Sequence, residues 1–459
     1  MIDEWRQVDS GFDGLPSEAF SLINQKNSVL LDSASEPGKL ARYSIIACYP
    51  DLIVKAKNGL VEVRSESGEK YIYSKDPLDV VHSYYKEGVG CFEKSDFYSG
   101  GPIGFLSYDY NRYLEEIPDS VLDDFLLPDM YFIFPRAVMV YDKKLMTWKI
   151  FSHKKVENNL INCLDKKPKN KEYRTGKVTC NMSKRYFKRS VNRIKDYIYD
   201  GDVYQVNFSQ RFSSSFSGDF YSLYDNMTKI NPSPFSGILN FDDFSVLLCS
   251  PERLVKLDGN KVETRPIAGT RRRGKGAEED SYLSGNLLLD PKEQAEHIML
   301  VDLERNDIGK VCNYGSVKCD ELMITEKYSH VIHIVSNVIG DLSKDKDAFD
   351  LLKAVFPGGT ITGCPKVRCM EIIEELEPTR RGPYTGSAGY FGYNGSMDFN
   401  IIIRSFVLKR DRLYFQAGAG IVADSDPERE YFETLSKAKA LFQSLDIDFK
   451  ETEWENLSY

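Results

Sequence analysis

Short apolar runs, interrupted by glycine, proline or asparagine, fill the first third of the chain. Runs of this length and composition are typical of β-strands. Residues 1–155 are therefore predicted to form a strand-rich region with one helix, over 76–85. The predicted strands are 29–33, 43–47, 51–56, 101–109, 130–141 and 147–152.

The pattern changes between residues 156 and 179, where lysine, asparagine and glutamate dominate and apolar residues are few. This composition predicts a linker. A second region, 180–447, then begins with a helix that Ser183 caps and Gly201 ends. Its apolar positions are Phe187, Val191, Ile194 and Ile198. Residues 448–459 are predicted to be a C-terminal tail.

The second region contains segments with apolar residues at helical spacing and segments typical of strands. Helices are predicted over 291–304, 367–376 and 427–445. Strands are predicted over 203–212, 237–240, 246–250, 254–256, 316–337, 387–393, 399–408 and 413–416.

The loop over 356–366 contains three glycines and two threonines and leads directly into a helix. Pro365 suits the first helical position, where a missing N–H costs nothing. Free amides and the positive end of a helix would together attract an anion. A loop that only caps its helix explains the same residues, so both interpretations remain open from this stretch alone.

Composition and charge exclude several classes of protein. The 459 residues carry a net charge of −9, and no basic stripe indicates a nucleic-acid surface. The nine cysteines show no CxxC spacing, so neither a zinc site nor a disulfide framework is indicated. Without a signal peptide or an apolar run of about 18 residues, a cytoplasmic protein that does not enter membranes is expected.

Two predicted helices carry acidic pairs. Glu293 and Glu296 stand at i and i+3 in one, and Glu430, Glu433 and Lys437 share a face of the other. A few carboxylate oxygens with positions left for water and substrate suit Mg²⁺. Taken one at a time, each pair is also what a solvated helix face would contain.

Other candidates lie at strand ends. Arg404 follows three isoleucines and could bind a carboxylate in bidentate fashion, or form a structural ion pair. Glu252 could protonate a leaving group if burial raised its pKa. His333 could be a core residue or a hydrogen-bond donor.

The run from Gly418 to Ala423 matches the spacing of a dinucleotide fingerprint, but Pro427 places the helix several residues too late for that function. Two glycines directly after a strand suit the close approach of a carboxylate to backbone amides. The residues alone thus predict an α/β enzyme that binds a small, multiply anionic molecule, with Mg²⁺.

Over about residues 180–445 the chain resembles the chorismate-utilising enzymes. The resemblance implies an α+β fold in which two large antiparallel sheets pack as a sandwich with helices outside. The motifs that carry it are Gly-Asp-Val-Tyr-Gln-Val-Asn at 201–207, Ser-Pro-Glu-Arg at 250–253, Arg-Pro-Ile-Ala-Gly-Thr at 265–270, Ala-Glu-His at 295–297, Arg-Asn-Asp at 305–307, the glycine loop, and Ala-Gly-Ala-Gly-Ile-Val-Ala-Asp-Ser at 417–425.

The resemblance also implies roles. Glu296 and Glu433 would bind Mg²⁺, supported by Glu293 and Glu430, and the metal would hold the ring carboxylate of chorismate. Glu252 would act as the general acid for the departing ring hydroxyl, with His333 beside that hydroxyl and Lys437 near the metal. The remaining substrate-binding positions would be Tyr384, Arg404, Gly418, Ala419 and Gly420 around the enolpyruvyl carboxylate, and Ala268, Thr270, Thr362 and Gly363 elsewhere in the pocket.

Three positions bear on the choice of branch. Isochorismate and salicylate synthases place a lysine that activates water where this chain has Gln205, so ammonia is the expected nucleophile. The residues around Gln205 and Gly359 favour the branch that forms 4-amino-4-deoxychorismate. Ala268 is common in the branch that forms anthranilate, which remains the alternative, and it excludes a covalent lysyl adduct at that position.

No glutaminase is encoded, so a separate glutamine amidotransferase is expected to supply ammonia. The run Leu30–Ser33 resembles the tryptophan feedback motif of anthranilate-forming members, with Asp32 in place of glutamate. It could equally be structural, and no feedback inhibition is expected. A non-catalytic binding module could dispense with Glu296 and Glu433, and both are present.

Overall fold

The structure is a computed structural model that describes residues 5–35, 42–89, 98, 100–167, 172–327 and 331–447. The predicted tail 448–459 lies outside these residues. The helices are α1 (Pro16–Ile23), α2 (Pro77–Gly88), α3 (Lys154–Leu164), α4 (Lys184–Tyr199), α5 (Phe220–Ile230), α6 (Ala277–Leu289), α7 (Pro291–Gly309), α8 (Ala348–Val355), α9 (Lys366–Leu376) and α10 (Pro427–Ser444).

The strands of the N-terminal region and the linker are β1 (Trp5–Val8), β2 (Ser28–Asp32), β3 (Tyr43–Lys57), β4 (Leu60–Ser65), β5 (Lys70–Tyr73), β6 (Ile103–Leu106), β7 (Met130–Asp142), β8 (Thr147–His153) and β9 (Tyr173–Thr175). The later strands are β10 (Thr179–Cys180), β11 (Gln205–Gly218), β12 (Phe235–Asn240), β13 (Phe244–Ser250), β14 (Arg253–Asp258), β15 (Lys261–Thr264), β16 (Ile267–Arg272), β17 (Lys318–Lys327), β18 (Val331–Asp341), β19 (Gly363–Cys364), β20 (Ser387–Phe391), β21 (Met397–Asn400), β22 (Ser405–Lys409) and β23 (Arg412–Ile421).

The predicted α+β class is confirmed: a large antiparallel sheet carries helices. Hydrogen bonds join its 23 strands into one network. The largest buried apolar cluster lies where α4 and α10 pack on β11 and β23, and it includes Phe187, Phe208, Phe415, Leu435 and Phe442. Among the helices of the described ranges, none is long and apolar enough to cross a membrane.

Strands from the two predicted regions pair with one another. β2 pairs with β12, and β6 pairs with β20, so residues before 155 and after 180 share the sheet. The segment predicted as a linker contains α3 and β9. α3 buries Val156, Leu160 and Leu164 in one row, and Ile161 packs beside them. That row is too sparse to stand out in the composition.

Two local predictions are wrong. The predicted strand 399–408 is divided into β21 and β22, because residues 401–404 leave the ladder and Ile401 N–H donates to Glu252 O. The partner strand is interrupted at the same level, since β14 pairs with β21 and β13 pairs with β22. Pro365 is the N-cap of α9 rather than its first helical residue.

A buried ion pair holds the glycine loop against the sheet. Arg381 has 1% of its side chain exposed and pairs with Glu377 at 2.7 Å. Its guanidinium also donates to Asn207 O on β11 and to Ile361 O in the loop. Glu377 in turn accepts from both N–H and Oγ of Ser209. The pair therefore joins β11, the glycine loop and the end of α9.

Replacing Arg381 with methionine is expected to lower the free energy of unfolding by about 3–5 kcal/mol, because it leaves the Glu377 carboxylate buried without its cation. Chemical denaturation of both proteins measures this. The control is Arg412→Met, which removes an exposed arginine bonded to Ser213 and is expected to change stability by about 0.5 kcal/mol or less. Equal effects of the two substitutions would contradict the assignment.

Candidate active site

One face of β11 and β23 is polar. Glycines on β23 leave this face free of covering side chains. Gln205 and Asn207 share this face, since alternate residues of a strand point the same way. On β23, a Cβ at Gly418 would overlap Asn207 Oδ1, and one at Gly420 would overlap Gln205 Nε2 and lie 3.6 Å from Glu296 Oε1. The two glycines therefore leave room for the side chains of Gln205 and Asn207, which lie over the glycine backbone.

Gln205 connects this face to α7. Its Nε2 donates to Glu296 Oε1 at 2.8 Å, while its Oε1 is buried without a hydrogen-bond partner. Burial raises the pKa of Glu296 and the charge of Glu293 raises it further, whereas the Gln205 hydrogen bond and Lys437 lower it. Gln205 thus donates to a carboxylate through Nε2, and because its amide is not basic it cannot take a proton from a nucleophile.

α10 brings a second set of charges to the same place. Lys437 Nζ lies 2.9 Å from Glu433 Oε1, and about half of each side chain is exposed. Burial raises the pKa of Glu430, and Glu433 adds to this, while Ser425 and Lys437 oppose it. Lys437 lowers the pKa of both Glu430 and Glu296, so its ammonium acts on acids of both α10 and α7.

Glu293 is held differently from the other three carboxylates. Its Oε1 lies 3.0 Å from Arg271 Nη1, and Arg271 Nη2 also bonds Asp290 at the start of α7. A Cβ at Gly269 would lie 2.8 Å from the other oxygen of Glu293. Glu293 lies in the first turn of α7, and Arg271 and β16 therefore hold its carboxylate from the side of the sheet.

The residues predicted to bind Mg²⁺ offer the carboxylate oxygens that this ion prefers. One oxygen of Glu430 is buried without a hydrogen-bond partner, and burial and like charge both disfavour its ionised form. A cation would relieve both costs, so the donor chemistry fits. Within the described ranges, no group of three histidine, cysteine or acidic residues lies close enough together to hold a metal ion. The metal site stays a prediction.

Glu252 lies in the break between β13 and β14 and is buried. Burial raises its pKa to about 7. The Thr360 hydroxyl and Ile267 N–H, which lie near the carboxyl group, oppose that rise, and so do the charges of Arg404 and Lys437. At neutral pH a large share of Glu252 therefore carries a proton, as a general acid must.

His333 faces the same space from β18. Its Nδ1 lies 3.0 Å from the carbonyl oxygen of Gly269, which occupies a β-bulge with φ +65°. Burial lowers the pKa of His333 to about 4, and the charges of Arg404 and Lys437 contribute to the lowering. The imidazole is neutral at pH 7, so it can serve as a hydrogen-bonding group but supplies no proton.

Tyr384 and Arg404 adjoin the glycine face. Burial raises the pKa of Tyr384, and the nearby backbone N–H of Gly418 opposes the rise. Arg404 ends the break between β21 and β22 with φ 50°, a conformation that costs a non-glycine residue roughly 1–2 kcal/mol. It lies close enough to Glu252 and His333 to affect both pKa values.

The other predicted pocket residues have varied surroundings. Thr362 Oγ1 donates to Gly358 O at 2.9 Å, so its hydroxyl stabilises the loop itself. Gly363 has φ +126° and pairs with Val206. Ala268 is buried in β16, Thr270 pairs with His333, and Ala419 is buried in the core opposite Phe208.

Sequence reasoning missed Thr360 and Glu304. The hydroxyl of Thr360 lies near Glu252 and lowers its pKa, and its place within the glycine loop was the available signal. Glu304 is a buried acid on α7, two turns beyond Glu296, and nothing in the local pattern distinguishes it from a solvated glutamate. Asp32, in the run predicted as a structural or tryptophan-binding motif, accepts from Ser44 Oγ and Tyr224 OH.

Comparison with known proteins places these residues in context. A family model described as chorismate binding enzyme matches residues 38–443. The chain belongs to this family. It is 44% identical over 451 residues to aminodeoxychorismate synthase component 1 of Bacillus subtilis (strain 168), covering 94% of each chain.

Anthranilate synthase component 1 of Aquifex aeolicus (strain VF5) is 40% identical over 460 residues, covering 94% of this chain and 92% of that protein. The crystal structure of anthranilate synthase component I from Streptococcus pneumoniae TIGR4 superimposes with a TM-score of 0.77 at 35% identity, covering 88% of this chain and 92% of that one. The chain is thus a chorismate-utilising enzyme, and the two kinds of synthase are similar to it to nearly the same degree.

Gly420→Ala is expected to reduce turnover of chorismate by roughly tenfold or more, because the new methyl group displaces the Gln205 amide from Glu296. Steady-state kinetics measure the change. The control is Gly285→Ala in α6, where a Cβ meets nothing within 4 Å and activity is expected to be unchanged. Wild-type activity of Gly420→Ala would contradict the assigned position of Gln205.

Proposed function

We propose that the protein is component I of a cytoplasmic aminodeoxychorismate synthase, which converts chorismate and ammonia to 4-amino-4-deoxychorismate for 4-aminobenzoate and folate synthesis. The observation that carries the proposal is the bond between Gln205 and Glu296. An amide cannot deprotonate water, so the proposal requires a nucleophile that attacks without first losing a proton to residue 205. Ammonia meets that requirement. The 44% identity to the Bacillus subtilis enzyme supports the same product.

In this proposal chorismate is held by its two carboxylates. The amides of Gly418, Ala419 and Gly420, with Tyr384 and Arg404, hold the enolpyruvyl carboxylate. Mg²⁺, held by Glu296 and Glu433 with Glu293 and Glu430 in support, would neutralise the ring carboxylate when bound. Lys437 lies beside these acids and supplies further positive charge.

Glu252 then gives its proton to the ring hydroxyl, which leaves as water. Ammonia forms the new carbon–nitrogen bond and loses a proton, so the reaction consumes no net acid. His333, neutral at pH 7, hydrogen-bonds the departing hydroxyl and fixes its orientation. Because residue 268 is alanine, no lysyl adduct forms at that position and ammonia reacts without it.

Anthranilate synthase component I, which releases anthranilate and pyruvate, is the second candidate. It is favoured by Ala268 and by the 40% identity to the Aquifex aeolicus protein. In either case a separate glutamine amidotransferase subunit supplies ammonia. The designation component 1 of both relatives supports such a partner.

The purified chain is expected to consume chorismate with ammonium and Mg²⁺, and not with glutamine alone. Mass spectrometry identifies the product, and 4-aminobenzoate is expected only after the corresponding lyase is added. Removal of Mg²⁺ by a chelator is expected to stop turnover, and its return to restore it. Fluorescent anthranilate formed without the lyase would instead establish the second candidate, and glutamine-driven turnover would contradict the need for a partner.

Glu252→Gln is expected to lower kcat by about 10²–10⁴-fold, because the amide has no proton to give. In the wild type, kcat is expected to fall as pH rises through about 7, since a raised pKa keeps the active, protonated form only below that value. Glu263→Gln, which alters a carboxylate paired with Arg253, is the control and should retain activity and pH profile. An unchanged profile in Glu252→Gln would assign the acid elsewhere.

A further inference from the structure

The polar face that carries Gln205 continues along β11 to Arg211 and Ser213, since alternate residues of a strand point the same way. At this far end the face borders a cavity of about 310 Å³. Its walls include Arg211, Ser213, Arg412 and Tyr414. That volume is at the lower end of the range for small-molecule sites, and the proposed reaction gives the cavity no role.

A hydrogen-bonded layer separates the cavity from the catalytic end of the face. Gln416 Nε2 donates to Ser209 Oγ at 2.7 Å, and Ser209 donates in turn to the buried carboxylate of Glu377. Arg211 adjoins this layer from the cavity side, because it pairs with Gln416 across the two strands. The cavity is therefore distinct from the site proposed for chorismate.

Two arginines and one carboxylate line the cavity. Arg211 is 5% exposed, bonds Asp124, and holds its guanidinium carbon 4.1 Å from the ring centroid of Phe125. Arg412 is exposed and donates to Ser213 Oγ at 2.8 Å, and among the described residues it forms no ion pair with a carboxylate. One positive charge at the cavity thus remains uncompensated.

Neutral groups complete the lining. Asn181 Nδ2 donates to Thr379 Oγ1 at 3.2 Å, so the threonine hydroxyl can donate its own proton to a ligand. The ring of Tyr414 is half-buried, and Arg412 Cζ lies 5.8 Å from its centroid. The cavity thus combines a guanidinium, a hydroxyl and a flat apolar surface.

We propose that this cavity binds a small aromatic monocarboxylate, with the carboxylate on Arg412 and Thr379 and the ring against Tyr414. Arginine binds carboxylates in bidentate fashion, and aromatic rings pack favourably on one another. A dianion such as phosphate is disfavoured, because only one positive charge is uncompensated and the Asp124 carboxylate repels further negative charge. The inference does not depend on the proposed function.

Fluorine NMR of 4-fluorobenzoate tests the proposal without substrate. The wild type is expected to bind this probe saturably, with a dissociation constant of roughly 1 mM. Arg412→Met should weaken binding about tenfold or more, because it removes a charge-assisted contact. Arg412→Lys keeps the charge but not the fork of donors, so its affinity should lie between the two.

Arg410→Met is the matched control, since it removes an exposed arginine from the hairpin that joins β22 to β23. It should bind the probe as the wild type does. Chemical denaturation of Arg412→Met should match the wild type closely, so that a loss of binding is not a loss of fold. Wild-type affinity in Arg412→Met, or the absence of saturable binding to the wild type, would overturn the proposal.

Two further outcomes would reassign the probe. If it occupies the site proposed for chorismate, Arg404→Met weakens binding and Arg412→Met does not, which overturns the proposal. Inorganic phosphate should fail to displace the probe at equal concentration, and displacement would overturn the class of ligand. Turnover of chorismate plays no part in these measurements, so a failure of the proposed reaction would leave the result unaffected.

Discussion

The buried pair of Arg381 and Glu377 fixes the geometry on which the site depends. The rigid guanidinium presents its donors in set directions, and here they meet carbonyl oxygens of β11 and of the glycine loop as well as the carboxylate. Glu377 in turn bonds Ser209, four residues beyond Gln205. The strand that carries Gln205 and the loop that carries Thr360 are therefore held in register by one ion pair.

This arrangement brings acidic and basic side chains together in a partly buried site. Burial alone raises the pKa values of Glu252, Glu296 and Glu430, and neighbouring carboxylates raise those of Glu296 and Glu430 further. Lys437 lowers the pKa of all three, Lys292 also lowers those of Glu296 and Glu430, and Arg404 also lowers that of Glu252. A further cation would lower the energy of the ionised acids, which is the electrostatic argument for a divalent ion at this position.

The features that could be predicted from the sequence are those that depend on local residue pattern. The helices α4, α7 and α10 and the acidic pairs on the last two follow from spacing, caps and apolar rows. The break at residues 401–404 could not be predicted from local pattern, because the run of isoleucines there favours a continuous strand. Only the paired break at Glu252, more than a hundred residues away, requires it. Glu304 was missed for the same reason: its burial is a property of the packing between α7, β15 and the glycine loop.

The choice of proton donor follows from the surroundings of two candidates that share the same neighbours. Arg404 and Lys437 face both His333 and Glu252. Burial together with these cations lowers the pKa of His333 to about 4, so the imidazole has no proton to spare at pH 7. For Glu252 the cations oppose the effect of burial, and the resulting pKa of about 7 leaves the carboxyl partly protonated yet able to ionise. The same field thus makes the histidine a fixed hydrogen-bonding group and the glutamate the acid.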